Sequence, residues 1–299
     1  MMNSFLSGAS AKPSSLRGLL TSQPPVLAPG CFDALSARLV EEAGFPAAYM
    51  TGYGCSNTYL GRPDVGLMTM TEMVEKARRI ADVTSIPLIA DADTGYGNAI
   101  NVIRTVQEYE RAGVAAIQLE DQVLPKKCGH MDHKQLVSLQ EALGKIKAGV
   151  DARRNSDFLI IARTDARAVE GLEAAIERGH RFHEAGADVI FIEAPQNEAE
   201  VVQVSKSLAG IPLLFNWAEG GKTPPLPYAR LAELGFSIAI FPVSTMLSAM
   251  AAMRAALARI RRDGTPINVV PELIGFQEFN DFMGLPEVNA LEKRYASGI

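Results

Sequence analysis

Acidic side chains in this sequence stand directly after short apolar runs. Asp91 and Asp93 follow one such run, and Glu120 ends the next run along the chain. A carboxylate buried at the mouth of an apolar sheet is costly unless it is paired or bound to a cation. Three carboxylates in one place offer only oxygen donors, which suits Mg²⁺ or Mn²⁺. Together they predict a divalent-metal site, although each alone could cap a helix or pair with a Lys or Arg.

A second reactive group follows Glu120 on a segment bracketed by Pro125 and Gly129, where the apolar periodicity stops and a loop is predicted. The loop contains Lys126-Lys127-Cys128-Gly129-His130. Positive charge beside a thiol stabilises the thiolate, so Cys128 is a candidate proton-transfer group or nucleophile. The alternative is that Cys128 is a minor core residue and the lysines are a solvated charge run. Zinc is disfavoured because no second Cys or His stands at ligand spacing.

Short apolar runs and amphipathic helical patterns alternate along the whole chain. The runs are rich in β-branched and aromatic residues, which favours buried parallel strands. The candidate strands are Val26–Ala28, Ala47–Thr51, Pro87–Asp91, Ala115–Glu120, Phe158–Arg163, Asp188–Glu193, Pro212–Asn216 and Ser237–Phe241. Eight βα units predict an α/β fold of the (β/α)8 TIM-barrel type, with a doubly wound sheet as the alternative. In a barrel the carboxyl ends of all strands converge on one face, which would bring the acidic residues together.

The C-terminal part of the chain carries more helix than a barrel requires. Helical patterns cover Thr245–Arg262, Pro271–Phe279 and Pro286–Tyr295. No linker or low-complexity stretch divides the chain, so we expect a single barrel domain over residues 1–299 with 271–299 as a helical extension. We expect the extra helices to pack on a neighbouring subunit, which makes the protein a homo-oligomer.

Composition and charge narrow the class of protein. A formal net charge of −5 gives no reason to expect a nucleic-acid partner, because phosphates call for basic patches. Three cysteines cannot all pair and do not resemble a disulfide framework. The first residues lack the pattern of a signal peptide, and no apolar stretch approaches the length of a membrane span. The sequence therefore predicts a cytoplasmic protein with no membrane partner.

Several sequence blocks resemble, in order, those of the isocitrate lyase/phosphoenolpyruvate mutase superfamily, and Lys126 to His130 resembles the signature of its isocitrate lyase branch. The resemblance covers the chain from about Val26 onward and is strongest to short lyases of the 2,3-dimethylmalate lyase and petal death protein type. The other blocks are Thr51 to Tyr53, Gly61 to Asp64, Asp91 to Gly95, Leu119 to Gln122, Ala162 to Ala166, Ile192 to Ala194 and Asn216 to Pro224.

The resemblance implies a Mg²⁺-dependent carbon–carbon lyase acting on a small 2-hydroxy dicarboxylate. Asp91, Asp93, Glu120 and Asp64 would hold the metal, in part through water. Cys128 would act as general acid on the departing carbanion, and Arg163 would stabilise carboxylate or enolate oxygen. The remaining substrate contacts implied are Thr51, Gly52, Tyr53, Lys127, Gly129, His130, Glu193 and Asn216. For Arg163 the alternative is a structural ion pair with Asp165 or Glu193. Relatives that swap helices within a tetramer imply the same assembly here.

Two departures from the family pattern bear on the substrate. Relatives that cleave 2-methylisocitrate carry an arginine where Leu247 stands and a threonine where Ala218 stands. Losing both removes partners that a third carboxylate needs, which favours an alkyl-substituted malate over a tricarboxylate. Tyr53 and Trp217 could face an alkyl group or serve as ordinary packing. The alternatives are 2-methylisocitrate cleavage, an oxaloacetate hydrolase or decarboxylase, a phosphonate mutase and a non-catalytic barrel.

Overall fold

Eight short strands alternate with helices in the computed structural model, which describes residues 15–22, 25–129, 131 and 133–296. Each predicted strand is present, with bounds that differ by a few residues. The strands are β1 (Val26–Cys31), β2 (Ala48–Met50), β3 (Leu88–Asp91), β4 (Ala116–Glu120), β5 (Leu159–Thr164), β6 (Val189–Ile192), β7 (Leu214–Asn216) and β8 (Ile238–Phe241).

The strands form a parallel sheet in the order β6-β5-β4-β3-β2-β1-β8-β7. A parallel bridge between Ile190 of β6 and Leu213, beside β7, joins the two ends of this sheet. The Ile190 N–H there donates to the carbonyl of Pro212 at 2.9 Å. The predicted (β/α)8 barrel is confirmed, and the doubly wound alternative is wrong because an open sheet has no such closing contact.

Helices cover the outside of the barrel, and their ends follow local sequence signals. At Thr69 and Glu72 each side chain bonds the other's backbone N–H, which forms the capping box that begins α4 (Met70–Ala81). Gly113 and Gly186 follow helix ends with φ of 85° and 101°, a conformation that favours glycine. In chain order, the helices as far as residue 263 are α1 (Leu16–Ser22), α2 (Ala34–Glu42), α3 (Gly52–Tyr59), α4 (Met70–Ala81), α5 (Ala99–Arg111), α6 (Leu139–Ala152), α7 (Ala166–Val169), α8 (Leu172–Glu184), α9 (Glu198–Ser207), α10 (Tyr228–Glu233) and α11 (Ser244–Asp263).

Alternate strand residues point to opposite sides of the barrel wall, as the two-residue period of a strand requires. Tyr49, Ile89, Ile161, Phe191 and Leu214 belong to the apolar cluster inside the barrel. Two residues further along each strand, on the same inward side, stand the polar residues Thr51, Asp91, Arg163, Glu193 and Asn216. The strands thereby carry an apolar interior up to a polar rim at their carboxyl ends.

Among the described residues, those up to Met246 form one compact unit, and those from Leu247 onward belong to a second. The second unit contains most of α11, a 3-10 turn (Val270–Glu272), α12 (Phe276–Phe282) and α13 (Leu285–Ala296). The predicted helix Pro271–Phe279 is wrong in extent, because the backbone becomes extended at Leu273 and α12 begins only after Gly275. The expectation of a single domain over 1–299 stays a prediction.

No residue of α11, α12 or α13 is buried in this chain. Among the helices of the described residues, none is long and apolar enough to cross a membrane. The second unit nevertheless exposes large apolar side chains, with Phe276 85% exposed. The exposed apolar residues of this unit are Leu247, Met250, Met253, Leu257, Ile267, Val270, Leu273, Ile274, Phe276, Met283, Leu285 and Tyr295.

Candidate active site

The predicted site residues meet at the carboxyl ends of the barrel strands. Thr51 follows β2, Asp91 ends β3, Glu120 ends β4, Glu193 follows β6 and Asn216 ends β7. All five are buried. Because the rim is shared by neighbouring strands, residues up to 165 positions apart in the chain lie on one face, from Thr51 to Asn216.

A buried lysine holds two of the predicted metal ligands. Lys126 Nζ lies 2.6 Å from Asp64 Oδ1 and 2.7 Å from Asp93 Oδ1. The contact with Asp93 is an ion pair, but its geometry is not that of a hydrogen bond. Burial alone lowers the pKa of Lys126, but the carboxylates of Asp93, Glu120 and Asp64 outweigh it and raise that pKa well above its ordinary value. Lys126 is therefore a cation of the carboxylate site rather than a solvated charge near Cys128.

Asp91 is fixed by backbone donors from two segments. Its carboxylate accepts the N–H of Asp93 at 3.0 Å and the N–H of Gly52 at 3.3 Å. A Cβ at position 52 would stand 2.6 Å from Asp91 Oδ2, so only glycine allows this approach. The Thr51-Gly52 turn thus fits closely against the end of β3.

Three side chains on the outer helices bind carbonyls of the loop that carries Asp91 and Asp93. Tyr109 donates to the carbonyl of Asp91 at 3.1 Å, and Thr105 donates to that of Gly95 at 3.0 Å. Lys145 donates to the carbonyl of Thr94 at 3.3 Å. Asp93 has a φ of 47°, an unusual conformation for a non-glycine residue that the surrounding contacts must hold.

Arg163 joins three carboxylates of the rim. Its Nε and Nη2 donate to Asp165 at 3.0 and 3.1 Å. Nη1 lies 3.2 Å from Glu193, and Nε lies 3.5 Å from Glu120. The alternative interpretation of Arg163 as an ion-pair partner of Asp165 and Glu193 therefore describes this structure. A guanidinium has five N–H donors, so donors remain for a substrate oxygen.

The Cys128 loop lies against this arginine. A Cβ at Gly129 would stand 2.4 Å from Arg163 Nη2 and 2.4 Å from Glu193 Oε2, so the loop backbone contacts both groups. Lys134, on the returning side of the loop, donates to the carbonyl of Gly129 and, at 2.7 Å, to Asp165 Oδ1. Cys128 itself is partly exposed.

The rim holds more acidic than basic groups. Among the described residues, seven carboxylates and five basic side chains are buried. Burial raises the pKa of Asp93 to about 6, with Lys126 opposing and Asp91 and Asp64 adding to the shift. Burial also raises the pKa of Glu120 well above its ordinary value, against the effect of Arg163. Such a site favours binding of an additional cation.

The donor chemistry of the rim fits a hard divalent cation. Within the described part of the chain, Glu120 Oε1 and Asp93 Oδ1 are buried oxygens that accept no hydrogen bond. No three acidic, His or Cys side chains of the described residues are arranged to hold a metal directly. The oxygen atoms present thus suit Mg²⁺ in type and charge, with water or substrate completing the coordination.

Some predicted residues have a less defined place. His130 lies outside the described residues. Lys127 is partly buried and its Nζ donates to the carbonyl of His133 at 3.1 Å, so its ammonium group contacts the loop itself. Tyr53 is the second residue of α3 and is partly buried. Trp217 packs at 6.2 Å between ring centres against Phe241.

Two residues central to the geometry were missed as site residues in the sequence. The sequence predicts Asp165 only as an ion-pair partner of Arg163 and gives no role to Lys134. Lys134 follows a loop and has no periodic or motif signature. Its position between the Cys128 loop and the next predicted strand, which Asp165 follows, is a weak signal that could have suggested the Lys134–Asp165 ion pair.

Comparison with known proteins agrees with this architecture. The family model described as phosphoenolpyruvate phosphomutase matches residues 16–261. 2,3-Dimethylmalate lyase of Eubacterium barkeri is 51% identical over 283 residues, which are 95% of this chain and 98% of that protein. 2-Methylisocitrate lyase of Aeropyrum pernix is 45% identical over 90% of this chain and 86% of its own length.

Solved structures give the same result. Oxaloacetate acetylhydrolase in complex with 3,3-difluorooxalacetate is 39% identical, has a TM-score of 0.89 and covers 99% of this chain and 98% of its own. Phosphonopyruvate hydrolase in complex with oxalate and Mg²⁺ is 37% identical, with a TM-score of 0.87 and coverage of 96% and 99%. The chain belongs to the phosphoenolpyruvate mutase/isocitrate lyase superfamily. Within it, the expectation of a carbon–carbon lyase is confirmed by its similarity to named lyases.

Proposed function

We propose that this protein is a divalent-metal-dependent lyase that cleaves a 2-hydroxy dicarboxylate of the alkyl-substituted malate type to a 2-oxo acid and a second carboxylic acid. The observation that carries the proposal is 51% identity to 2,3-dimethylmalate lyase over almost the full length of both chains. It is supported by a rim of oxygen donors, an arginine and a thiol-bearing loop at the carboxyl ends of the barrel strands.

Asp91, Asp93, Glu120 and Asp64 would hold Mg²⁺ or Mn²⁺. Asp93 Oδ1 and Glu120 Oε1, two of the buried oxygens that accept no hydrogen bond in the described part of the chain, support this assignment. When bound, the metal would polarise the substrate's 2-oxygen and neutralise its neighbouring carboxylate.

The protein groups around that position suit a carboxylate substrate. The backbone N–H groups of the turn at Thr51, Gly52 and Tyr53, which opens α3, would donate to the substrate carboxylate. Arg163 would bind the oxygen that gains negative charge as the bond breaks. The further proposed contacts are Lys127, Gly129, His130, Glu193 and Asn216.

The reaction balances as a retro-aldol cleavage. The 2-hydroxyl group loses its proton, its oxygen forms the carbonyl of the 2-oxo acid, and the bond from C2 to C3 breaks. The electron pair passes to C3 and is delocalised into its carboxylate as an enolate. Cys128 then donates the thiol proton to C3, which completes the second carboxylic acid. The hydroxyl proton passes to a base.

Two residues, Ala218 and Leu247, bear on how many carboxylates the substrate carries. Ala218 lies two residues after Asn216 and supplies no hydrogen-bond donor, and Leu247 supplies no charge. A third carboxylate would lack partners at these positions, so 2-methylisocitrate is the less favoured substrate.

An oxaloacetate hydrolase is the second candidate. It is supported by the TM-score of 0.89 to oxaloacetate acetylhydrolase, which covers almost the whole of both chains. In this reaction water attacks the 2-oxo carbon of oxaloacetate before the same carbon–carbon bond breaks, which gives oxalate and acetate.

Product analysis separates the candidates. The protein is incubated with Mg²⁺ and, separately, 2,3-dimethylmalate, malate, 2-methylisocitrate and oxaloacetate, and products are identified by mass spectrometry. We expect a 2-oxo acid and a monocarboxylic acid from the alkyl malate, with at least tenfold higher kcat/KM than for the others. Oxalate and acetate from oxaloacetate as the main activity would instead establish the hydrolase, and pyruvate with carbon dioxide would indicate a decarboxylase. An Arg163→Ala variant controls for contaminating activity.

We further propose a homotetramer in the cytoplasm. The exposed apolar side chains of the second unit support burial against other subunits. Cys31 and Cys55 are buried thiols, which suits a reducing compartment.

A further inference from the structure

The segment 121–137 leaves the barrel after β4 and returns before α6 as a tied loop. Gln122 and Leu136 form an antiparallel bridge at its base. The Val123 N–H donates to the backbone carbonyl of Gln135 at 2.8 Å, and the Val137 N–H donates to the backbone carbonyl of Asp121 at 2.9 Å. These bonds hold the base of the loop and leave its far part, with Cys128 and Gly129, to be held by other contacts.

Lys134 supplies such a contact. Its side chain is 1% exposed, and its ammonium group donates a hydrogen bond to the carbonyl of Gly129. The same group contacts Asp165 Oδ1, which also accepts from Arg163 Nη2 at 3.1 Å. One ammonium therefore connects the backbone beside Cys128 to the carboxylate that orients Arg163.

We propose that Lys134 is a positioning residue that couples the seated Cys128 loop to the orientation of Arg163 through Asp165, an inference that rests on the proposed function for its catalytic consequence. If the loop lifts, Gly129 withdraws its carbonyl, and Lys134 loses a hydrogen-bond partner in a buried place. If Lys134 is removed, Arg163 is the one charged partner of Asp165 left among the described residues, and the loop loses the tie at Gly129 while the contacts of Lys126 remain. The proton donor and the guanidinium thus reach their working positions together.

Lys134→Met tests this coupling, because methionine has nearly the same length and no charge. We expect kcat with the alkyl malate to fall at least tenfold while KM changes less than threefold, because the thiol on the loop acts in proton transfer after the bond breaks. We also expect hydrogen–deuterium exchange of the peptide 121–137 to quicken at least tenfold in the unliganded variant. Adding ethylammonium to Lys134→Ala should restore part of kcat by replacing the missing cation.

Arg153→Met is the matched control. Arg153 Nη1 pairs with Asp188 at 2.6 Å just before β6, at the opposite end of the barrel. Its loss removes a cation from a carboxylate without touching the loop, so kcat and exchange of 121–137 should stay within twofold of wild type. If Lys134→Met leaves an unpaired charge that prevents folding, the Lys134→Met/Asp165→Asn double variant removes both charges and is used for the exchange measurement.

The outcomes separate the two proposals. Exchange of 121–137 at the wild-type rate in a folded Lys134 variant overturns the coupling, whatever the substrate. A kcat within twofold of wild type, or equal loss in Arg153→Met, also overturns it. If none of the tested acids is cleaved, the proposed function fails and the exchange measurement still decides the role of Lys134.

Discussion

Gly129 lies so close to Arg163 that a Cβ on the glycine would stand 2.4 Å from Nη2 of the guanidinium. The same Cβ would meet Glu193 Oε2 at 2.4 Å. The residue after Cys128 is thus fitted against the ion pair of Arg163 and Glu193 with no room for a side chain. The loop that carries Cys128 therefore packs directly against Arg163.

Gly129→Ala should therefore prevent the loop from seating. The added methyl group must displace either Arg163 or the loop backbone, and misplacement of about 1 Å can cost roughly 10²-fold in rate. We expect kcat to fall by about that factor, measured by steady-state kinetics with the preferred substrate. Gly144→Ala on α6 is the control, because beyond the adjacent residues and the nearby backbone of the helix itself nothing lies within 4 Å of the added Cβ. It should leave kcat unchanged and stabilise the helix by roughly 0.5–1 kcal/mol. Equal kcat in the two variants would contradict the packing argument.

The fold could be predicted because each strand is a short buried run, and β2, β4, β6 and β8 each follow a helix that ends at a glycine. Asp91, Glu193 and Asn216 could be predicted because each stands at the carboxyl end of a predicted strand and matches a block of the family that the sequence resembles. The roles of Lys126 and Lys134 could not be predicted. Lys134 is buried against Asp165, which lies 31 residues further along the chain, and no local pattern encodes that contact. The extent of α12 was wrong, since Gly275 was not treated as a helix boundary.

Asp93→Ala should remove metal-dependent stabilisation. Ligand at about 100 times its Kd stabilises a folded protein by roughly 2.7 kcal/mol. We expect wild type to gain several degrees in Tm with Mg²⁺ and oxalate, and Asp93→Ala to gain less than one degree. Asp82→Ala, an exposed carboxylate after α4, should keep the full shift. Turnover of wild type should also stop after exhaustive chelation and return with Mg²⁺. Undiminished turnover without divalent cations would contradict the metal assignment.

Asp165→Asn should destabilise the fold in a pH-dependent way. Burial raises the pKa of Asp165, but Arg163 and Lys134 outweigh it and lower that pKa from 3.8 to about 2. A lowered pKa contributes stability that is complete above the unfolded value and is lost as the pH falls through the folded value. We expect a loss of roughly 3–5 kcal/mol at pH 7, because two buried cations lose their partner.

Urea unfolding at several pH values measures this effect. The difference between wild type and Asp165→Asn should stay constant from pH 7 to 5 and shrink from about pH 4 towards pH 2. Asp157→Asn, an exposed carboxylate, should show no comparable difference. A difference that is unchanged at pH 2.5 would show that the charge of Asp165 is not its source.

The second unit should dock on other subunits through its apolar side chains. Met253 and Leu257 are exposed and lie one turn apart on α11, where they form one stripe. We expect sedimentation of wild type as four chains of 32.2 kDa each, and smaller species for Met253→Glu/Leu257→Glu. Ala255→Glu adds a charge to the other side of the helix and should leave the mass unchanged. A monomeric wild type at micromolar concentration would refute the docking.

Cys128→Ser should fold and bind Mg²⁺ with oxalate, yet lose most of the cleavage rate. A serine hydroxyl is nearly isosteric with the thiol but has a far higher pKa, so it is a poor proton donor to a carbanion. General acid catalysis is typically worth roughly 10²–10⁴-fold, and we expect kcat to fall within that range. Binding is measured by the Tm shift with Mg²⁺ and oxalate, which should match that of wild type.

Cys55→Ala separates this effect from the loss of a thiol in general. Cys55 is fully buried in α3, so its removal should lower Tm while kcat stays within a few-fold of wild type. If Cys128 only packs the loop, Cys128→Ser should behave like Cys55→Ala, with intact turnover. That result would remove the proton donor from the proposed cleavage. It would favour decarboxylation of oxaloacetate, in which the rim stabilises the enolate and solvent supplies the proton. Because the two outcomes differ by orders of magnitude, one comparison of kcat values decides between them.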